Sequence, residues 1–352
     1  MSLLWMDYEK EFQDLVDAAY NWEYNSKPEY FSKLPQRVQR IIYRDTRYNV
    51  DFLYTAYVMK DAKIMERYAA WLYVLMDGIL QQRQMPHEAV EKYVIHHLEA
   101  IKEGVKLVVS EDKRAELLEM LEKGQRAVAE AAAAGEPQPE AAASPFEAEI
   151  KQYMDSLFEK NNKKTMFLVK EFLRKGISVD NIYVGILAES MRRVGELWHN
   201  AKITVDMEHY CTSATQLAMT QLYPEVFAAE PLDKTLLCAC PGTELHEMGA
   251  RIVADVFENN GWNSIYLGAA VPVDYMLEAV RENRPDLVAL SVTMPQHLID
   301  CERLVKAIKK EFPQQKIAVG GRAFMSTDEI WKQWPADFYA ENALDLLKKA
   351  RN

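Results

Sequence analysis

Histidines beside carboxylates and tryptophan are the residues in this chain best suited to chemistry. Residues 196–211 read ELWHNAKITVDMEHYC, with Trp198-His199 and then, after a gap of nine residues from the tryptophan, Glu208-His209, in a chain holding only seven histidines. A second group reads Pro241-Gly-Thr-Glu244-Leu-His246-Glu-Met-Gly249, which sets a carboxylate two residues before an imidazole. Imidazole ligates metals and moves protons near neutral pH, and a nearby carboxylate can fix which ring nitrogen does so. Three further stretches look built to receive a ligand. Gly268 in Leu267-Gly-Ala-Ala-Val-Pro272 allows close approach, Ser291-Val-Thr293 offers two hydroxyls on one side of an extended segment, and Gly320-Gly321 leaves room for something flat or bulky. The four cysteines, Cys211, Cys238, Cys240 and Cys301, lack the spacing of a metal grip and read as reduced thiols.

Elements to position these residues follow from hydrophobic pattern and punctuation. Residues 134–145, AGEPQPEAAASP, combine three prolines with small residues and read as a linker. Before it, segments 3–23, 30–47, 49–83, 87–108 and 111–133 carry apolar residues at three- and four-residue intervals, so residues 1–133 form an all-helical domain. After it, helices over about 146–160, 163–175, 179–200 and 204–227 predict a four-helix bundle spanning 146–230. From 231 to 352 the short runs KTLLCAC, WNSIYLGA, DLVALSV, KIAVGG and DFYA alternate with helical stretches, which predicts a doubly wound parallel sheet. In such a sheet, ligands bind at the carboxyl ends of the strands, where His246, Gly268, Ser291 and the glycine pair all fall. A net charge of −11 weighs against nucleic acid or anionic membrane as partners. With no signal peptide pattern and no run of 18 apolar residues, a cytoplasmic location is expected.

The loops resemble the cobalamin-binding domain of methionine synthase, corrinoid shuttle proteins and cobalamin-dependent mutases. Its signature is a D-x-H-x-x-G loop, then S-x-L or S-x-T, then Gly-Gly. Here Glu244-x-His246-x-x-Gly249 is followed after 41 residues by Ser291-Val-Thr293 and after 26 more by Gly320-Gly321. The resemblance implies a Rossmann-like cobalamin fold in which His246 ligates cobalt from the lower face and Glu244 orients it. It also implies that Ser291 bonds the displaced benzimidazole tail, whose slot Gly320 and Gly321 leave open. Glu244 departs from the family's usual aspartate, and its extra methylene changes the reach to His246.

The Trp-His and Glu-His pairs resemble those of the light-sensing adenosylcobalamin repressors. That implies adenosyl packing by Trp198, adenosyl contact by Glu208 and His209, and capture of cobalt by His199 once light has broken the cobalt–carbon bond. Residues 1–133 show no basic recognition helix, so the winged-helix output of those repressors is not expected here. Instead, 17 of the 37 aromatic residues lie in the first 93 positions, and Arg37, Arg40, Arg44 and Arg47 share one helical face. Such a stripe could pair with the propionates of a tetrapyrrole or simply be solvated, and the aromatics could simply be core. The overall order resembles the photocobilins, which combine cobalamin with biliverdin, and in that reading the four arginines hold the bilin.

The sequence therefore leads to a cofactor-binding sensor without an enzyme of its own. Adenosylcobalamin, and biliverdin if the photocobilin resemblance extends to the first domain, would be its chromophores. Homo-oligomer assembly would respond to light and pass the signal to another protein. The rival reading is a corrinoid methyl carrier serving methyltransferases, and a third is a storage or supply-sensing module.

Overall fold

The computed structural model describes residues 9–135 and 144–351, and the expected linker at 134–145 lies largely outside them. The chain divides into two compact units, one built from the residues before the linker together with 295–300 and 323–330, the other from the remainder.

Amphipathic spacing produces five long helices in the first unit: α1 (Glu9–Ser26), α2 (Gln36–Met59), α3 (Ala62–Gln81), α4 (His87–Val108) and α5 (Glu111–Ala134). Their core holds Leu15, Leu53, Tyr54, Ile64, Met65, Leu98 and Ile101, all fully enclosed. Each such side chain contributes roughly 1.5–3 kcal/mol of burial energy. The break expected between residues 47 and 49 is absent. Helix α2 runs through it because the residues that would interrupt it are satisfied in place. Thr46 and Thr55 return their hydroxyls to the carbonyls four residues back, at 2.9 and 2.7 Å, and buried Asn49 accepts the Tyr68 hydroxyl. The stop comes instead at Lys60, which adopts a left-handed backbone, φ 54°, before Asp61 caps α3 by accepting from the Lys63 amide.

The second unit joins a helical bundle to a sheet. The bundle is α6 (Glu147–Phe158), α7 (Asn162–Arg174), α8 (179–199) and α9 (Val205–Met219), the last continuing through a short turn to Val226. All four helices stand where the hydrophobic pattern puts them. One feature of α8 is invisible in that pattern: Ile182–Ala188 forms a π-helical stretch.

The sheet strands are β1 (Thr235–Pro241), β2 (Asn263–Val271), β3 (Leu287–Ser291), β4 (Ile317–Gly320) and β5 (Phe338–Ala340), parallel and ordered β2-β1-β3-β4-β5. Helices α10 (Met248–Asn259), α11 (Val273–Asn283), α12 (Leu298–Glu311) and α13 (Ala343–Arg351) complete the doubly wound arrangement. The order reverses direction between β1 and β3, which opens a crevice at the strands' carboxyl ends. β2 extends further than expected: the stretch read as a loop at 267–272 stays paired with β1 to Val271, through two irregularities around Gly268 and Ala270, both with positive φ.

Bundle and sheet share one hydrophobic core within this unit, and polar side chains pin their contact. Tyr183, in the π stretch, donates to Asp255 of α10 at 2.9 Å, and Asp180 accepts from Asn259 and Asn260 at 2.9 and 3.0 Å.

Candidate functional site

β1 ends at Pro241, and Gly242 turns the chain with φ 65° while its amide donates to the Val271 carbonyl. This delivers Glu244 to the crevice beside β3. Its side chain is fully enclosed and accepts four N–H donors. Oε1 takes the His246 amide at 2.9 Å and His246 Nδ1 at 2.6 Å, while Oε2 takes the amides of Thr293 and Met294 at 2.9 and 2.8 Å. The longer side chain thus spans from the β1 loop to the β3 loop. Burial works to raise the Glu244 carboxyl, but the bonds from His246 and Met294 prevail and hold it at about 2.

His246 is fixed by this carboxylate at one nitrogen and open at the other. With Nδ1–H donating to Glu244, neutral imidazole carries its lone pair on Nε2, and the side chain is 57% exposed. The Glu244 bond raises its pKa against the effect of burial, and the charge of Glu208 adds to the rise. Glu208 belongs to α9, so the bundle acts on the imidazole from its own side.

The remaining expected residues gather around this pair to different degrees. Gly249 lies against Ser291, whose Oγ would be 3.5 Å from a Cβ at 249. Thr293 contributes through its backbone amide. Gly268, φ 81°, faces Glu247. Gly320 and Gly321 answer to the backbone itself: a Cβ would stand 2.7 Å from the Ala340 oxygen at 320 and 2.3 Å from the Val292 oxygen at 321, where φ is 101°.

In the bundle, Trp198 and His199 occupy the last turn of α8, both partly exposed. The chain then reverses through Ala201, φ 52°, whose amide donates to the Trp198 carbonyl at 2.9 Å, and α9 begins with Glu208 in its first turn. Glu208 accepts from Thr212 at 3.0 Å and from His209 Nδ1 at 2.7 Å, while the His209 ring is 74% exposed.

Sequence reasoning missed Glu247, adjacent to His246. It accepts from Tyr266 at 3.0 Å and from Gln216 of α9 at 3.4 Å, tying strand, loop and bundle together beside the imidazole. Its position next to the histidine was the available signal, but an acidic residue at a helix start reads as a simple cap.

In the first unit, Arg37, Arg40 and Arg44 are exposed on α2, Arg44 pairs with its neighbour Asp45, and Arg47 lies 5.8 Å from the Phe12 ring centre. The aromatics there largely pack on one another, Phe52 stacking on Tyr68 at 3.6 Å and Phe12 meeting Tyr54 at 5.9 Å.

Comparison with known proteins agrees with this geometry. Residues 234–348 match the model of a B12 binding domain, and residues 149–223 match a second B12 binding domain model. Among curated proteins, the chain is 26% identical over 208 residues to trimethylamine corrinoid protein 1 of Methanosarcina acetivorans, covering 57% of this chain and 95% of that one. It is 25% identical over 192 residues to the dimethylamine corrinoid protein of Methanosarcina barkeri, covering 54% and 90%. The fold resembles that of the Methanosarcina barkeri monomethylamine corrinoid protein, with a TM-score of 0.53 at 23% identity, over 58% of this chain and 98% of that one. The chain thus carries cobalamin-binding domains. The donor set fits such a cofactor: an imidazole with one nitrogen locked and the other free stands at a strand-end crevice, beside Leu245, a leucine 72% exposed. Among the described residues, no helix is long and apolar enough to cross a membrane.

Proposed function

We propose that this protein is a corrinoid carrier, holding cobalamin through His246 and presenting it to methyltransferase partners. The observation that carries the reading is the Glu244 clamp, a buried carboxylate that orients one nitrogen of an otherwise exposed imidazole at the crevice of a B12 binding domain. Bound cobalamin would supply a cobalt able to accept and release a methyl group. The chain's own part is to hold and shield it. His246 would be the lower ligand, with Glu244 raising its basicity and setting its orientation. Gly249, Ser291 and the Gly320-Gly321 pair would line the path of the nucleotide tail. Gly268 and Thr293 would shape the neighbouring rims. Similarity to a trimethylamine and a dimethylamine corrinoid protein supports a carrier role over a catalytic one.

Reconstitution tests it. Protein loaded with hydroxocobalamin should show the spectrum of histidine ligation, and protein loaded with methylcobalamin should pass its methyl group to a corrinoid-dependent methyltransferase supplied with a thiol acceptor; retention of the benzimidazole ligand by the wild-type protein would remove the proposal.

A second reading has its own observation. Trp198-His199 ends α8 and Glu208-His209 opens α9 across the turn between them, and the Glu208 charge reaches His246. This supports an upper lid for a bulky ligand, as an adenosylcobalamin light sensor requires. Trp198, Glu208 and His209 would then contact the adenosyl group and His199 would stand ready as an upper ligand. Equal affinity for adenosyl- and methylcobalamin, with no change in hydrodynamic size on green illumination, would reject it. A bilin held by Arg37, Arg40, Arg44 and Arg47 belongs to this reading alone, and biliverdin added to the protein should then give a bound-chromophore spectrum.

A further inference from the structure

The first unit contains the same carboxylate–imidazole device in buried form. His97 of α4 engages Glu23 of α1 through Nδ1 at 2.8 Å, and the two residues are 6% and 1% exposed. Burial would raise the Glu23 carboxyl, yet the hydrogen bond with His97 holds it below its ordinary range. The other ring nitrogen, Nε2, is buried and has no hydrogen-bond partner. An unmet buried polar atom is destabilising, so the fold keeps it there at a loss unless something occupies the space beside it.

That space exists. His97 lines a cavity of about 30 Å³ with Asp45 and Asn49 of α2, Leu72 and Met76 of α3, and Val94 of α4. One water needs roughly 10–15 Å³ by the same measure, so the room suits two or three heavy atoms and no macrocycle. The chemistry of the walls narrows the choice. With Nδ1 donating to Glu23, Nε2 is an acceptor, and Asp45 adds a partly exposed carboxylate whose outer side meets Arg44 at 3.3 Å. Leu72, Met76 and Val94 give the cavity an apolar side, and Ile42, Asn49 and Tyr93 complete its wall. A metal ion finds too few ligands, since among the described residues no three His, Cys, Asp or Glu side chains converge to hold one.

We propose that this cavity binds a small protonated alkylamine, methylammonium being the smallest. Its N–H groups donate to His97 Nε2 and the Asp45 carboxylate, and its methyl group rests against Leu72, Met76 and Val94. The site lies within the first unit and does not depend on the cobalamin reading.

Calorimetric titration of the full chain with methylammonium chloride tests this, with potassium chloride and tetramethylammonium chloride as controls. The expected result is one saturable site for methylammonium and none for either control. Asp45→Asn, at the partly exposed mouth, should weaken binding by about tenfold, equivalent to 1.4 kcal/mol, and His97→Gln should abolish it. The proposal is overturned by an absence of saturable heat or by equal binding of tetramethylammonium. Unchanged affinity in Asp45→Asn also overturns it, as does His97-dependent zinc binding that methylammonium cannot compete with. Should His97→Gln fail to fold, the Asp45 variant and the cation series decide alone.

Discussion

At His246 the chemistry depends on which proton sits where. Ligation needs the lone pair of Nε2, and Glu244 both holds that tautomer and favours protonation of the ring. Replacing His246 by alanine should therefore return bound cobalamin to benzimidazole or water ligation, read directly in the absorption spectrum. In Glu244→Gln the ring loses the carboxylate that raises its pKa, so the acid midpoint for loss of histidine ligation should move to lower pH; an unmoved midpoint would deny Glu244 its orienting role. Stability follows the same pair with the sign reversed for its acid member. The Glu244 carboxyl, about 2 in the fold against an ordinary 4.5, contributes about 3 kcal/mol above its unfolded pKa, lost as pH falls from about 4.5 toward 2. Acid unfolding of the Glu244→Gln variant should be correspondingly flatter over that range.

Between the site and the bundle, the element that matters is the π stretch of α8. Its wider turns take in more residues than α turns, so Trp198 and His199 point elsewhere than a regular helix from Val179 would send them. Gly185 within it makes room for Phe146, because a Cβ there would come 2.7 Å from that ring. Alanine at 185 gains about 1 kcal/mol of helix propensity, but crowding costs about 1–3 kcal/mol. The expected result is a net loss of about 1 kcal/mol in urea unfolding, with a changed response at Trp198 fluorescence. Tyr183 in the same stretch bonds Asp255, whose carboxyl burial lifts to about 6. A carboxyl raised in the fold opposes folding once it ionises. That penalty grows as pH rises from about 4 through 6, so Asp255→Asn should stabilise by about 2–3 kcal/mol at pH 8 and by little at pH 4.

Across the whole molecule, ligand binding and folding are linked. Cobalamin held by the second unit should raise its unfolding free energy by about 2.7 kcal/mol at a hundredfold excess over Kd, seen as a higher urea midpoint. His246→Ala should lose much of that gain. A net charge of −11 keeps general nucleic-acid affinity away, so the chain should pass through heparin at physiological salt.

Strand-helix alternation and turn residues determined the sheet unaided: all five strands lie where short apolar runs put them, most plainly β1, β3 and β4, because a parallel strand buried on both faces must read as such a run. The alternation likewise put Glu244, His246, Ser291 and Gly320 at strand ends, where the fold has them, since loops at a switch point are local features. Tertiary structure alone decided the rest. Only the fold shows that Glu244 uses its extra methylene to reach the Thr293 and Met294 amides, that Gly321 yields to the Val292 backbone, and that Glu247 joins Gln216 to Tyr266. The same holds for the meeting of Glu23 with His97, 74 positions apart. Periodicity reports which face of an element is buried, whereas these contacts depend on which faces meet, and that is settled by packing in three dimensions.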